Sequence, residues 1–193
     1  MYELIDANVA KRIQLTPQEL ELFHSCLQVK KYKKKQFILQ AGEISHFQGF
    51  IHKGCIKNYI LDEKGHEFIM YFAIEDWWVG DIMSFYEQKP GNLFIETIED
   101  TELLTMDIYQ TEKLLKEVPK FERFFRILIQ RAAYTLQQRF FNTLSKPAEE
   151  RYLEFIKKYP EVVQRVPQQL IASYIGVTPE FLSKVRAKLA KKA

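Results

Sequence analysis

A single change of period limits what this chain can fold into. From Val29 to about Met106 the apolar residues recur roughly every second position, and from Ile108 onward they recur at helical spacing. Segments 37–39, 47–51, 56–61, 68–72, 94–98 and 103–106 are short and rich in aromatic and β-branched residues. Turn signals separate them: Gly42-Glu43, Lys53-Gly54, the run from Asp62 to Gly65, and Pro90-Gly91. Many short strands between regularly spaced turns predict a small antiparallel sandwich or jelly roll. The Asp62 to Gly65 turn is the clearest hairpin.

Helices are expected on either side. Thr16, Pro17 and Glu19 form a capping box that opens a helix to about Leu27. A short helix is predicted over 109–118, stopped before Pro119. Residues 120–144 contain neither Gly nor Pro, so one helix of roughly 35 Å is expected there. Its apolar stripe runs from Phe121, Phe124, Phe125 and Leu128 to Ala132, Thr135 and Leu136. That stripe can face its own sandwich and the same helix of a second copy. A further helix is expected from Pro147 to about Lys158, buried by Tyr152, Leu153, Phe155 and Ile156, with a connector after Tyr159-Pro160.

The last 28 residues hold two helical patterns that meet at Ile175-Gly176-Val177-Thr178. The first is expected to start at Pro167 and to bury Leu170, Ile171, Tyr174 and Ile175. Gly176 supplies a left-handed terminus. Thr178 reads as the N-cap of the second, with Pro179 and Glu180 in the first turn and Phe181, Leu182, Val185 and Leu189 on the buried side. Two short helices around a glycine turn, the second one basic, make a helix-turn-helix. From Thr178 onward five cations stand against Glu180 alone, a local +4 that leaves the rest of the chain at −1 within a net charge of +3. Charge gathered on one element is the footprint of a phosphate-binding surface. The second basic run, Lys30 to Lys35, reads instead as a solvated face or a charged strand edge.

The order of elements, a β-roll, a long helix and a C-terminal helix-turn-helix, resembles the Crp/Fnr family of bacterial transcription regulators. Gly42-Glu43, Gly80-Asp81, the run from Pro147 to Leu153, Gln169 to Ala172 and Gly176 to Thr178 carry the likeness. It implies an α+β chain: a cyclic-nucleotide-binding-like sensor over 1–119, a dimerisation helix over 120–145 and a helix-turn-helix domain over 146–193. The implied partners are double-stranded DNA at a pseudo-palindromic site, a second copy of the chain, and RNA polymerase. Carried over position by position, Pro179, Glu180, Ser183 and Lys184 face bases, and Gln168, Gln169, Thr178, Arg186 and Lys188 contact phosphates or set position. Lys191 and Lys192 are expected to be solvated. The sequence ends before the β-hairpin wing that often follows in the family, so fewer phosphate contacts are expected.

The same likeness places an effector pocket at Gly80, Asp81, Ile82, Met83 and Ser84. Family members that bind cyclic nucleotide follow their Gly-Glu with an Arg-Ser or Arg-Thr pair. Here the corresponding stretch is Asn92-Leu93-Phe94, and neither Arg nor Lys occurs between Lys89 and Lys113. A buried phosphate needs such a cation, so cyclic AMP is not expected and the effector is left unassigned. Trp77-Trp78, Met83, Phe85 and Tyr86 either line an apolar pocket or pack the sandwich on the long helix. Cys26 and Cys55 are too few for an iron–sulfur cluster or a disulfide framework, and suit a reducing cytoplasm. The chain has no signal pattern and no apolar run of the ~18–20 residues that a membrane span needs. A Gly-rich phosphate loop, a nucleophile elbow and clustered metal-ligand spacing are all missing, so an enzyme is not expected. The competing reading is a small-molecule sensor whose helical tail contacts protein rather than DNA.

Overall fold

The computed structural model describes residues 1–190; the expectation for Lys191 and Lys192 lies outside the described residues. Among the described residues eight strands form two antiparallel sheets. They are β1 (Gln28–Tyr32), β2 (Phe37–Leu39), β3 (Gln48–Lys53), β4 (Ile56–Leu61), β5 (Glu67–Ala73), β6 (Trp78–Val79), β7 (Phe94–Thr97) and β8 (Thr101–Met106). The first sheet runs β1-β8-β3-β6 and the second β2-β7-β4-β5. Period-two alternation sends Leu39, Ile51, Ile56, Ile95 and Leu103 inward, and these residues make the core between the sheets.

Helices cover both outer faces. On the first sheet, α1 (Glu3–Ala10), α2 (Pro17–Ser25), α4 (Ile108–Glu117) and the start of α5 (Lys120–Ser145) close over Phe50, Leu104 and Met106. Phe23 and Phe121 meet there with ring centroids 4.8 Å apart. On the second sheet, α6 (Ala148–Lys158), α7 (Pro160–Arg165), α8 (Gln168–Ile175) and α9 (Pro179–Ala190) pack over Tyr59, Ile69, Phe72 and Ile74. The helix-turn-helix thus shares a core with the β-roll. It does not stand apart on a linker.

Several expectations need correction. The stretch after Pro160 is a helix, α7, because Pro160 serves at its first position and Val162 and Val166 reach the core. The C-terminal segment therefore holds four helices among the described residues rather than three. Pro167 caps α8 and does not begin it. Leu153 and Phe181 are exposed, at 40% and 47%. Each sits beside its helix's buried stripe rather than within it. Strand β1, helix α1 and helix α3 (Ile82–Glu87) were not expected. The lysine run that obscured β1 lies at the open edge of the first sheet and just beyond it, with its side chains exposed, as a charged edge requires.

Candidate functional site

Helix α9 begins where the sequence places its cap: Thr178 Oγ1 accepts a hydrogen bond from the Phe181 N–H at 3.2 Å. Gly176 takes φ 80°, and the Val177 N–H returns to the Ala172 carbonyl at 3.0 Å, closing α8. Leu182 and Val185 anchor α9 against Ile171, Ala172 and Ile175. Gln169, Thr178, Pro179, Glu180, Ser183, Lys184, Arg186 and Lys188 are all exposed. Phe181 stands one turn from Lys184 and joins that face. Gln168 differs: it is half-buried, and its Oε1 is buried without a donor. Lys188 Nζ is held by Glu149 Oε2 at 2.6 Å. The Glu180 carboxyl lies below its ordinary range because its own N–H and the Thr178 hydroxyl hydrogen-bond to it. An ionised carboxylate there repels phosphate at the helix N-terminus but can accept from a base amine.

A cavity of about 660 Å³ lies where the β-roll, α5 and the C-terminal helices meet. Gly80, Asp81 and Ile82 line it, but Met83 and Ser84 do not. Met83 points to solvent from α3, at 59% exposure. Ser84 is buried behind the wall, where its hydroxyl accepts from the Ser45 N–H at 2.9 Å and donates to the Lys89 carbonyl at 2.6 Å. The Asp81 side chain turns inward to cap α3, accepting from the Ser84 N–H at 3.1 Å. A Cβ on Gly91 would lie 2.2 Å from Asp81 Oδ2, so this corner is already filled by a carboxylate. Both uses considered for the tryptophans occur. Trp78 meets Phe124 and Phe125 of α5 at 5.5 and 5.7 Å, while Trp77, Trp78, Phe85 and Tyr86 line the cavity. Burial pushes the Tyr71 hydroxyl, which also faces the cavity, up to about 12.

Three side chains tie the C-terminal helices to the roll. Arg139 of α5 donates to the carbonyls of Ile69 and Met70 on β5 and of Tyr174 on α8, and lies 4.1 Å from the centre of the Tyr174 ring. Ser173 Oγ accepts from the Ile69 N–H at 3.1 Å and donates to the Glu67 carbonyl at 2.5 Å. These bonds satisfy an edge strand that would otherwise expose unpaired backbone groups. Arg165 at the end of α7 grips Glu75 and Glu99 with N–O distances from 2.6 to 3.1 Å. Sequence reading passed over all three, because their partners lie 35 to 106 residues away.

Cys26 and Cys55 are both buried and free. Burial pushes the Cys55 thiol up to about 12. Among the described residues no group of His, Cys, Asp and Glu side chains could hold a metal ion, and no helix is long and apolar enough to cross a membrane.

Residues 29–118 match the cyclic nucleotide-binding domain family. The chain is 25% identical to the anaerobic regulatory protein of Haemophilus influenzae, over 92% of this chain and 73% of that one. Its fold is similar to that of the c-di-GMP-responsive global regulator CLP of Xanthomonas campestris, with a TM-score of 0.75 at 14% identity over 92% of this chain and 93% of the other. A regulator assigned to the Crp/Fnr family, from Eubacterium rectale, superposes with a TM-score of 0.70 at 15% identity over 92% of this chain and 85% of the other. Residues 29–118 thus resemble the cyclic nucleotide-binding domain family, and the chain as a whole has the fold seen in Crp/Fnr transcription regulators.

Proposed function

We propose that this regulator acts as a homodimer that binds double-stranded DNA at a pseudo-palindromic site through α9. The observation that carries this reading is the solvent-facing polar side of α9, where Glu180, Ser183, Lys184 and Arg186 are exposed beside a correctly capped first turn. Glu180 and Ser183 offer acceptors to base edges, Lys184 donates to guanine, and Arg186 reaches a phosphate. Lys188 contributes less than a free lysine would, since Glu149 competes for it.

The dimer reading is supported by the far half of α5. Ile129, Leu136, Phe140 and Leu144 are exposed at 45–71% and recur at spacings of seven, four and four residues along one side. This is a seam that a second copy of the same helix can cover. A pocket that does not take cyclic AMP is supported by Asp81. Its buried carboxylate stands where the family likeness places the phosphate, and none of the described hydrogen bonds brings a cation to it. A phosphate there would meet like charge without a counter-ion.

The test is selection of bound sequences from a random duplex pool with the wild type and with Lys184→Ala/Arg186→Ala. An enriched inverted repeat is expected for the wild type, with binding lost in the variant and its far-ultraviolet spectrum unchanged. Equal enrichment by both proteins would remove DNA binding from α9. It would favour a protein-contacting tail, for which the exposed Phe181 is the natural anchor.

A further inference from the structure

Two arginines of the cavity lining form no ion pair among the described residues. Arg12, just after α1, and Arg131 of α5 both line the cavity. Arg12 Nη1 donates to the Asn8 carbonyl at 2.7 Å and to Asn8 Oδ1 at 3.0 Å, and its guanidinium lies 5.6 Å from the centre of the Phe124 ring. Its Nε is buried without an acceptor. Arg131 is exposed at the cavity, and among the described residues no carboxylate or carbonyl holds it. The carboxylate on this side, Asp76, is committed elsewhere: Lys11 Nζ binds one oxygen at 2.6 Å and Asn8 Nδ2 the other at 2.8 Å. Burial and then the like charge of Arg131 hold the Arg12 guanidinium below its ordinary value, with Asp76 opposing in part.

The remaining wall is of a different kind. Trp77, Phe72, Leu93, Leu128, Phe155 and Tyr159 surround the cavity with rings and aliphatic carbon. Its volume falls within the range of about 300–1,000 Å³ typical of small-molecule sites, which are largely apolar with a few placed polar groups. Two guanidiniums at one rim of such a space are suited to a planar anion, because their forked donors match a carboxylate or sulfonate.

We propose that the cavity binds an amphipathic organic monoanion, with its ring or chain among the aromatic side chains and its carboxylate or sulfonate held by Arg12 and Arg131. The proposed contacts to the anion do not use Asp81, which lines the same cavity with its carboxylate turned to cap α3, and the inference does not depend on DNA binding by α9. Arg131 and Arg12 select the charge, and the wall selects the apolar body.

The experiment titrates the 193-residue chain with anilinonaphthalene sulfonate and, in parallel, with phenylnaphthylamine, the same rings without the sulfonate. Saturable binding of one sulfonate probe per chain is expected, tighter than that of the neutral probe. Arg12→Gln/Arg131→Gln is expected to weaken the sulfonate probe by roughly tenfold or more and to leave the neutral probe unchanged. Arg131→Gln alone, at an exposed helix position, should show part of that loss without risk to folding, and Arg131→Lys should restore much of it. Equal affinity for the two probes in the wild type would overturn the proposal. So would unchanged sulfonate binding in Arg131→Gln, equal weakening of both probes in the double variant, or displacement of the sulfonate probe by cyclic AMP at comparable concentration.

Discussion

Replacing Arg165 with Met should loosen the C-terminal helices from the β-roll while leaving both cores intact. The guanidinium makes four charge-assisted hydrogen bonds, two to Glu75 and two to Glu99, at 2.6–3.1 Å. Its side chain is 24% exposed, and the two carboxylates are 34% and 37% exposed. Fully exposed pairs contribute about 0–1 kcal/mol and buried charge-assisted bonds about 1.5–3 kcal/mol each. A partly solvated bidentate cluster therefore contributes about 2–3 kcal/mol in total, and its loss shifts the docking equilibrium roughly 30- to 150-fold. The Ile69 amide is the reporter, since its N–H leaves the edge strand β5 to bond Ser173 across the junction. Hydrogen exchange at Ile69 should accelerate by that factor in Arg165→Met, with Ile95 and Leu103 in the roll core unchanged. The pH dependence follows from Glu75. Burial alone would raise its carboxyl, but hydrogen bonds from Arg165 and from the Gly54 N–H outweigh this and hold it below its ordinary value. A depressed carboxyl stabilises above its unfolded value, and that stabilisation is lost as pH falls through the folded value. Wild-type Ile69 protection, corrected for intrinsic exchange, should thus fall in the acid range below the ordinary glutamate value. Arg165→Met should show much less of that loss. Unchanged Ile69 protection in the folded variant at neutral pH would refute the clamp.

Three further outcomes are expected. Leu136→Ala/Phe140→Ala removes side chains that are 57% and 60% exposed in the single chain. Covering those fractions in a dimer is worth about 1–1.5 kcal/mol per side chain, or about 4–6 kcal/mol over two copies. Sedimentation equilibrium should show the dimer dissociation constant raised roughly a thousandfold or more, and an unchanged constant would move the dimer seam elsewhere. Iodoacetamide should label neither Cys26 nor Cys55 in the native protein at neutral pH, and both after denaturation, because both are buried and burial pushes the Cys55 thiol up to about 12. Rapid native labelling would contradict the packing around them. Gly176→Ala should cost about 1–2 kcal/mol through the left-handed backbone alone, since an added Cβ meets nothing within 4 Å. The melting midpoint should fall by about 3–6 °C, and a larger drop would mean that the turn packs more tightly than its geometry shows.

The elements that could be read from sequence are those whose cause is local. The capping box at Thr16 is present with both of its hydrogen bonds, 2.7 and 3.3 Å, because its partners are three residues apart. The α8–α9 turn follows for the same reason, with Gly176 and Thr178 each acting on neighbours within four residues. Strand β1 was hidden because four of its five residues are exposed and its lysines carry no alternation. It is a strand because β8 pairs with it in register from Gln28–Thr105 to Tyr32–Thr101, a fact that belongs to β8. Helix α1 left a trace, Ile5 and Val9 at a spacing of four, continued by Ile13 just beyond its end, and all three are buried.

The arginines show why the candidate sites divide as they do. Arg12, Arg131, Arg139 and Arg165 look alike in sequence, each a cation among mixed neighbours. What separates them is which acceptors the fold brings within reach. Arg139 meets three backbone carbonyls from two elements, so its charge is spent on structure and burial lowers its pKa without freeing it for a ligand. Arg165 meets two carboxylates, and its guanidinium is stabilised in the charged form. Arg12 and Arg131 line the same cavity, and the carboxylate between α1 and the roll, Asp76, offsets their like charge only in part because it is bound by Lys11 and Asn8. A protein gains no stability by placing like charges together beside an apolar cavity. The arrangement therefore points to something outside the chain's own fold, and the arginine pair, rather than the family's Gly80-Asp81 corner, is where a ligand's charge is best met.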